Sequence, residues 1–258
     1  MQNWSRMDHE LRPFWRRIFG FNWKFGLFLV LIICIPRFIL VLHANASGNY
    51  SFIGLIMIIS ALAPFIFLTR HGQKAIGIRK PGNYLWLLSA FIFGIVFSFF
   101  SYYLGLILYG NNYQNWYAYI GRSYKIPAGI NQHDKAILFS IVALTGITFS
   151  PIGEELFFRG IVHSGFAKSI GDRKASIAEG SAFAVTHISH FGLVFINDQW
   201  KLLTLPTLIW VVSMFLVSVL FFICKKYSGS ILGAILCHAG FNLGMIYCIF
   251  YLLWYLLS

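Results

Sequence analysis

Charge is scarce in this sequence. Only 11% of its 258 residues are Asp, Glu, Lys or Arg, whereas 58% are hydrophobic. A soluble domain carries about 25% charged residues, so a water-soluble globular protein is excluded and lipid is the expected solvent for most of the chain. Acid is scarcer still: eight Asp and Glu stand against 20 Lys and Arg, a formal net charge of +12. Such a balance can serve nucleic acid or a membrane surface. Here the basic residues fall in short runs between apolar stretches, not in one patch, so they read as topology signals and no nucleic-acid partner is expected. The four cysteines, Cys34, Cys224, Cys237 and Cys248, lie inside apolar stretches without ligand spacing. That argues against a disulfide framework or a zinc knuckle and leaves small apolar fillers. A cleavable signal peptide is not expected. The first twenty or so residues are polar and basic, with Arg6, Arg12, Arg16 and Arg17, and the apolar run that follows is too long and lacks a small-residue cleavage site. There is no repeat, no low-complexity segment and no second domain. Residues 1–258 are expected to form one integral membrane domain, with 1–21 as a cytoplasmic basic tail.

Apolar runs of about 20 residues, the length that spans a bilayer, occur at 25–42, 51–68, 84–109, 136–158, 175–197, 202–224 and 230–257. The expected fold is therefore all-α, a polytopic bundle of seven transmembrane helices, or eight if the last run splits near Asn242 and Gly244. Arg70, Lys74, Arg79 and Lys80, then Arg159, Lys168, Arg173 and Lys174, then Lys225 and Lys226 occupy alternate loops. The opposite loops hold Arg122, Lys125, Lys135 and Lys201. The positive-inside rule then places the N-terminus in the cytoplasm and, for seven spans, the C-terminus outside. The 110–135 loop carries Tyr113, Trp116, Tyr117, Tyr119 and Tyr124, which suggests an interfacial anchor in preference to a lid.

Ionisable residues within spans are costly and usually functional. Three groups stand out. The first is Glu154-Glu155 with Arg159. Glu155 and Arg159 are four apart and face each other, whereas Glu154 is rotated by about 100°. Glu155 thus has an internal counter-ion and Glu154 does not. Glu154 is the better functional candidate, while Glu155 fits a structural ion pair equally well. The second is Phe183 with His187, four apart, with Glu179 on the same stripe and His190 three further on. His190 reads as a structural histidine bonded to a neighbouring helix. The third is His238 with Asn242, four apart beside Ala239 and Gly240, which describes either interhelical glue or a donor pair with room for substrate. At 1.5 Å per residue, Glu154, His238 and His187 lie about 8, 12 and 12–18 Å from the cytoplasmic ends, a shared depth that random glue does not need. Together they permit water activation by a carboxylate and a histidine, with His and Asn donating to an oxyanion. His-Glu-x-x-His, the usual zinc protease signature, is absent.

The ordered set Glu-Glu-x-x-x-Arg, Phe-x-x-x-His and His-x-x-x-Asn resembles the CPBP family, which comprises the type II CAAX prenyl endopeptidases and the bacterial Abi or bacteriocin-immunity proteins. The run from Ser228 to His238 also looks like the family's approach to its third motif. The resemblance covers about 136–245. It implies a glutamate-dependent intramembrane endopeptidase in which Glu154 and His187 activate water and His238 and Asn242 stabilise the oxyanion, with Glu155, Arg159 and Phe183 shaping the site. Glu179 is not part of the pattern. No metal or cofactor is expected, although a zinc site built on His187, His190 and His238 is a less favoured alternative. The expected partner is a membrane-associated peptide or protein substrate at a bacterial plasma membrane, in peptide processing or bacteriocin self-immunity. The competing reading is a non-catalytic membrane immunity or scaffold protein that captures its partner uncut.

Overall fold

The computed structural model describes residues 9–253. Arg6 of the basic tail and the end of the 230–257 run lie outside the described residues. The chain is built from α1 (Trp23–Ser47), α2 (Ile53–Phe67), α3 (Leu85–Tyr109), α4 (Trp116–Gly121), α5 (Gln132–Ile170), α6 (Asp172–Thr186), β1 (Leu193–Ile196), β2 (Gln199–Leu202), α7 (Thr204–Ser228) and α8 (Ile231–Leu253). Polar residues mark the ends. The Asn22 side chain accepts from the N–H groups of Lys24 and Phe25, Asn131 caps α5 through Asp134, and Ser230 caps α8 through Leu232. Each satisfies donors that the first helical turn leaves open. Gly48 and Gly229 close α1 and α7 with φ of 69°, a left-handed conformation that glycine adopts without penalty.

Five of these helices, α1, α3, α5, α7 and α8, are long and apolar enough to cross a membrane. The other two expected spans differ. The run at 51–68 forms a helix of 15 residues, and the run at 175–197 forms α6, also of 15 residues, a 3₁₀ turn at His187–Ser189 and then the first strand of a hairpin. Fifteen residues rise about 22 Å, short of the ~30 Å hydrocarbon core. The fold is nearly all-α, as expected, and the hairpin is the exception: β1 pairs antiparallel with β2 across Asn197 and Asp198, whose φ values are 52° and 58°. Two consecutive left-handed residues make the tight turn whose twist suits a hairpin. The last helix continues through Asn242 and Gly244 without a break.

Lipid-facing and protein-facing stripes separate cleanly on α7. Leu205, Leu208, Val212 and Leu216 are exposed, while Trp210, Met214, Val217 and Phe221 are buried. Large exposed apolar side chains make sense only in lipid. Helix contacts rest on small residues, as expected where no hydrophobic drive separates helix from solvent. Gly94 of α3 meets the Cys237 carbonyl of α8, and Gly240 meets the Phe91 carbonyl of α3. Gly240 is therefore used by the helix crossing, and the cavity beside His238 and Asn242 is not lined by it. The 110–135 segment is likewise not an interfacial anchor. Trp116, Tyr117 and Tyr119 are buried, with Trp116 Nε1 donating to Ser101 Oγ (3.2 Å), Tyr117 Oη to the Ser98 carbonyl (2.7 Å) and Tyr119 Oη accepting from Phe195 N (2.9 Å). Their hydroxyls and indole find protein partners, so α4 is packed into the bundle as a plug. Because α8 runs from the basic 225–229 loop to the opposite face, a reporter fused after Ser258 should read extracytoplasmic and one in the 70–80 loop cytoplasmic. The same reading at both positions would refute this topology.

Candidate active site

α5 turns its buried carboxylates in two directions. Glu154 Oε1 accepts from Ser150 Oγ (2.6 Å), one turn earlier, and from Arg37 Nη2 of α1 (2.9 Å). Glu154 therefore does have a counter-ion, contrary to the expectation drawn from its own helix. The partner is 117 residues away in the chain, beyond the reach of i,i+4 reasoning. The other oxygen, Oε2, has no hydrogen-bond partner and lies 3.8 Å from His187 Nε2. His187 sits where α6 gives way to the 3₁₀ turn. Its Nδ1 is 2.7 Å from the Phe183 carbonyl. A carbonyl only accepts, so Nδ1 carries the hydrogen, and in the neutral ring Nε2 presents its lone pair to Glu154. Trp210 Nε1 donates to the His187 carbonyl (3.0 Å) and secures the turn.

Glu155 faces the other way. Its Oε1 accepts from Arg159 Nη1 (3.1 Å) and lies 2.7 Å from His238 Nδ1 of α8. The His238 ring stacks on Phe221, with centroids 4.7 Å apart and an interplanar angle of 14°. A carboxylate on Nδ1 fixes the ring and leaves Nε2 free to address the cavity, as second-shell carboxylates do for functional histidines. Arg159 belongs to a π-helical turn, Leu156–Val162, within α5. All seven residues of this turn are buried, and such turns recur at functional positions. Its guanidinium lies 4.2 Å above the Phe183 ring, and Nε is 3.7 Å from Glu179. Glu179, unassigned in the motif pattern, is thus a second carboxylate for Arg159. Asn242 Nδ2 donates to the Gly146 carbonyl of α5 (2.9 Å), which leaves its second N–H.

One cavity of about 220 Å³ is lined by Arg37, Ser150, Glu154, His187, His238 and Asn242 together. Phe183 also lines it, whereas Glu155 and Arg159 stand behind His238. His190 lines it too. Its ring stacks on His187 at 5.3 Å, and its Nε2 has no hydrogen-bond partner, so it is not bonded to a neighbouring helix through that atom. Among the described residues no group of three or more His, Cys, Asp or Glu is arranged to hold a metal ion. Arg37, Ser150 and Trp210 are the site residues the motifs missed. Arg37 had a visible signal, a lone guanidinium in the middle of a 25-residue apolar helix.

The family model for type II CAAX prenyl endopeptidases, Rce1-like, matches residues 136–244. The chain carries an Rce1-like domain. No curated protein and no solved structure matches it. The Rce1-like segment runs from α5 through α8 and contains both glutamates, His187, His238 and Asn242. Arg37 lies outside it, so the partner of Glu154 comes from a helix that the family match does not cover. At the level of the family, the Rce1-like domain is that of a CAAX-type membrane protease, and with the five apolar helices it marks an integral membrane protein.

Proposed function

We propose that this chain is an intramembrane endopeptidase that activates water between Glu154 and His187. The observation that carries this reading is the facing of two acceptors, Glu154 Oε2 and His187 Nε2, at 3.8 Å. Two acceptors cannot bond to each other. A water molecule, which donates two hydrogens, satisfies both and loses a proton to the carboxylate as it attacks. Arg37 and Ser150 hold the opposite carboxylate oxygen, so Oε2 is aimed and not free to rotate. The second N–H of Asn242 reaches the same cavity and can donate to the oxyanion that forms when the peptide carbonyl is attacked, as can His238 Nε2 when both ring nitrogens carry hydrogen. The substrate is a membrane-associated peptide or protein, and the setting is bacterial peptide processing or bacteriocin self-immunity.

Purified protein in detergent should cleave a fluorophore–quencher CAAX-type peptide. Replacing Glu154, His187 and His238 together should remove that activity. If the wild-type protein cuts no peptide and the triple variant keeps the cellular phenotype, catalysis at this site is wrong, and a non-catalytic capture protein is the reading left. Asn242→Ala should slow cleavage by about 10²–10³-fold with little change in KM, the usual loss for one oxyanion donor. A change confined to KM would remove Asn242 from the oxyanion role. The acceptor pair also needs no metal. Elemental analysis should find no stoichiometric zinc, and activity should survive chelation. One tightly held metal per chain, with activity lost on removal and restored on return, would refute the glutamate mechanism.

A further inference from the structure

The catalytic cavity adjoins a second chamber of about 120 Å³. Tyr50, Ile120, Ser123 and His190 line both. The outer chamber is completed by the end of α1, the turn after α4 and strand β1, through Asn45, Arg122, Lys125 and Phe195 among others. Two cations belong to its wall and no Asp or Glu does. The polar groups deeper in the wall are already committed: Tyr50 Oη donates to Asn45 Oδ1 (2.8 Å), and Asn45 Nδ2 donates to the Ser189 carbonyl (2.7 Å). Burial pushes the Tyr50 phenol up to about 12, so it stays neutral. Arg122 and Lys125 are exposed at the rim.

The position of this chamber is set by α1. At the start of that helix, Trp23 N donates to Ser169 Oγ (3.0 Å), near the end of α5 and beside Lys168, Arg173 and Lys174. The chamber is at its other end. Twenty-five residues separate the two, about 37 Å at 1.5 Å each, more than the thickness of the hydrocarbon core. Toward the basic loops the cavity is lined by Phe183 and Phe221, with the fully buried Glu155–Arg159–Glu179 cluster packed against them through Arg159, 4.2 Å and 5.0 Å from their rings.

We infer that substrate reaches the site through this vestibule, from the face opposite the basic loops, and that Arg122 and Lys125 hold an acidic group of the entering peptide. The inference rests on the proposed endopeptidase function and names its substrate class: peptides presented on the side away from the basic loops, extracytoplasmic when the N-terminal side is cytoplasmic. A peptide has the slender, extended shape that a narrow chamber leading to a single cavity admits. A carboxylate matches two cations with no competing acid.

The route is tested by labelling with a membrane-impermeant maleimide in intact cells and in inverted vesicles. All four native cysteines are buried, so introduced ones report alone. Ser123→Cys should react from the side on which Lys74→Cys, in the basic 69–83 loop, does not. Reaction of both from the same side would overturn the route. The charge preference is tested by fluorescence anisotropy on the full-length Glu154→Gln protein, with labelled hexapeptides rich in Asp or in Lys. The acidic peptide should bind about tenfold more tightly, the sum of two partly exposed ion pairs, and Arg122→Glu with Lys125→Glu should reverse the order. Equal affinities, or an order unchanged by the charge reversal, would overturn the acidic-group assignment. Both readouts are independent of turnover. If they come out as expected and wild-type protein cuts no peptide, the hydrolase reading falls and the vestibule stands as a binding site.

Discussion

Glu154→Gln will lose about 10⁴-fold in cleavage rate, the upper range for a general base, and will also accumulate to a lower level than wild type. The second effect comes from Arg37. Both side chains of the Arg37–Glu154 pair are nearly fully buried, and removing one member of a buried pair costs about 3–5 kcal/mol because the other charge is stranded. The loss should sit at the low end, since the Gln oxygen still accepts from Arg37. Exchanging both members for uncharged residues of similar size is close to neutral in such pairs. Glu154→Gln with Arg37→Met should therefore return to near wild-type abundance and remain inactive. Glu155→Gln should behave differently: Arg159 keeps Glu179, so the protein persists, while His238 loses its anchor and the rate falls. Immunoblots of membrane fractions beside peptide cleavage separate the two effects. Recovery of activity in the double variant would show that Glu154 is a structural carboxylate. An inactive Glu155→Gln protein at full abundance, paired with an active Glu154→Gln protein, would exchange the roles of the two.

Local spacing made much of the site legible. Glu155 with Arg159, Phe183 with His187 and His238 with Asn242 are each four apart, and a helix puts such pairs on one face whatever surrounds it. Even the divergence of Glu154 from Glu155 follows from helical rotation. What spacing does not carry is the partner across the bundle. Arg37 meets Glu154 through a packing of α1 against α5 that no local pattern encodes, and Glu179 meets Arg159 from α6 in the same way. Arg37 could have been flagged without its partner being known, because a guanidinium within a long apolar run is costly wherever it points. The misreading of 175–197 has a different cause. Its apolar content suggested a span, yet Asn197-Asp198 lies between Leu193–Ile196 and Gln199–Leu202, a turn dipeptide between two short runs. The aromatics of 110–135 show the limit of composition: Tyr and Trp suit an interface and a polar-lined protein interior equally well, and only their hydrogen-bond partners on α3 and β1 decide which.

Arg159→Met will be the most destabilising single change in the chain's polar core. The guanidinium lies between Glu155 at 3.1 Å and Glu179 at 3.7 Å, and all three side chains are fully buried. Met preserves much of the packing against Phe183 and Phe221, so the loss isolates the charge. Two carboxylates then remain in a low-dielectric interior without the guanidinium that bridges them, and the basic groups left are Lys225, on the Arg159 carbonyl, and His163, 4.0 Å from Glu179. At least one must take up a proton or draw in water, and the expected cost is about 3–5 kcal/mol. Thermal unfolding in detergent should show a large fall in Tm, and the fraction of monodisperse protein should fall with it. Removing one of the stranded charges should reverse most of this. Glu179→Gln is the better choice, because the remaining Glu155 still has the His238 Nδ1–H at 2.7 Å. Arg159→Met with Glu179→Gln should thus regain stability. Arg159→Lys should fall between, since one ammonium cannot bond to both carboxylates in the fixed fork that guanidinium provides. Wild-type stability in Arg159→Met would show that the cluster is hydrated or already protonated. Recovery with Glu155→Gln but not with Glu179→Gln would show that His163 and Lys225 hold Glu179 better than His238 holds Glu155.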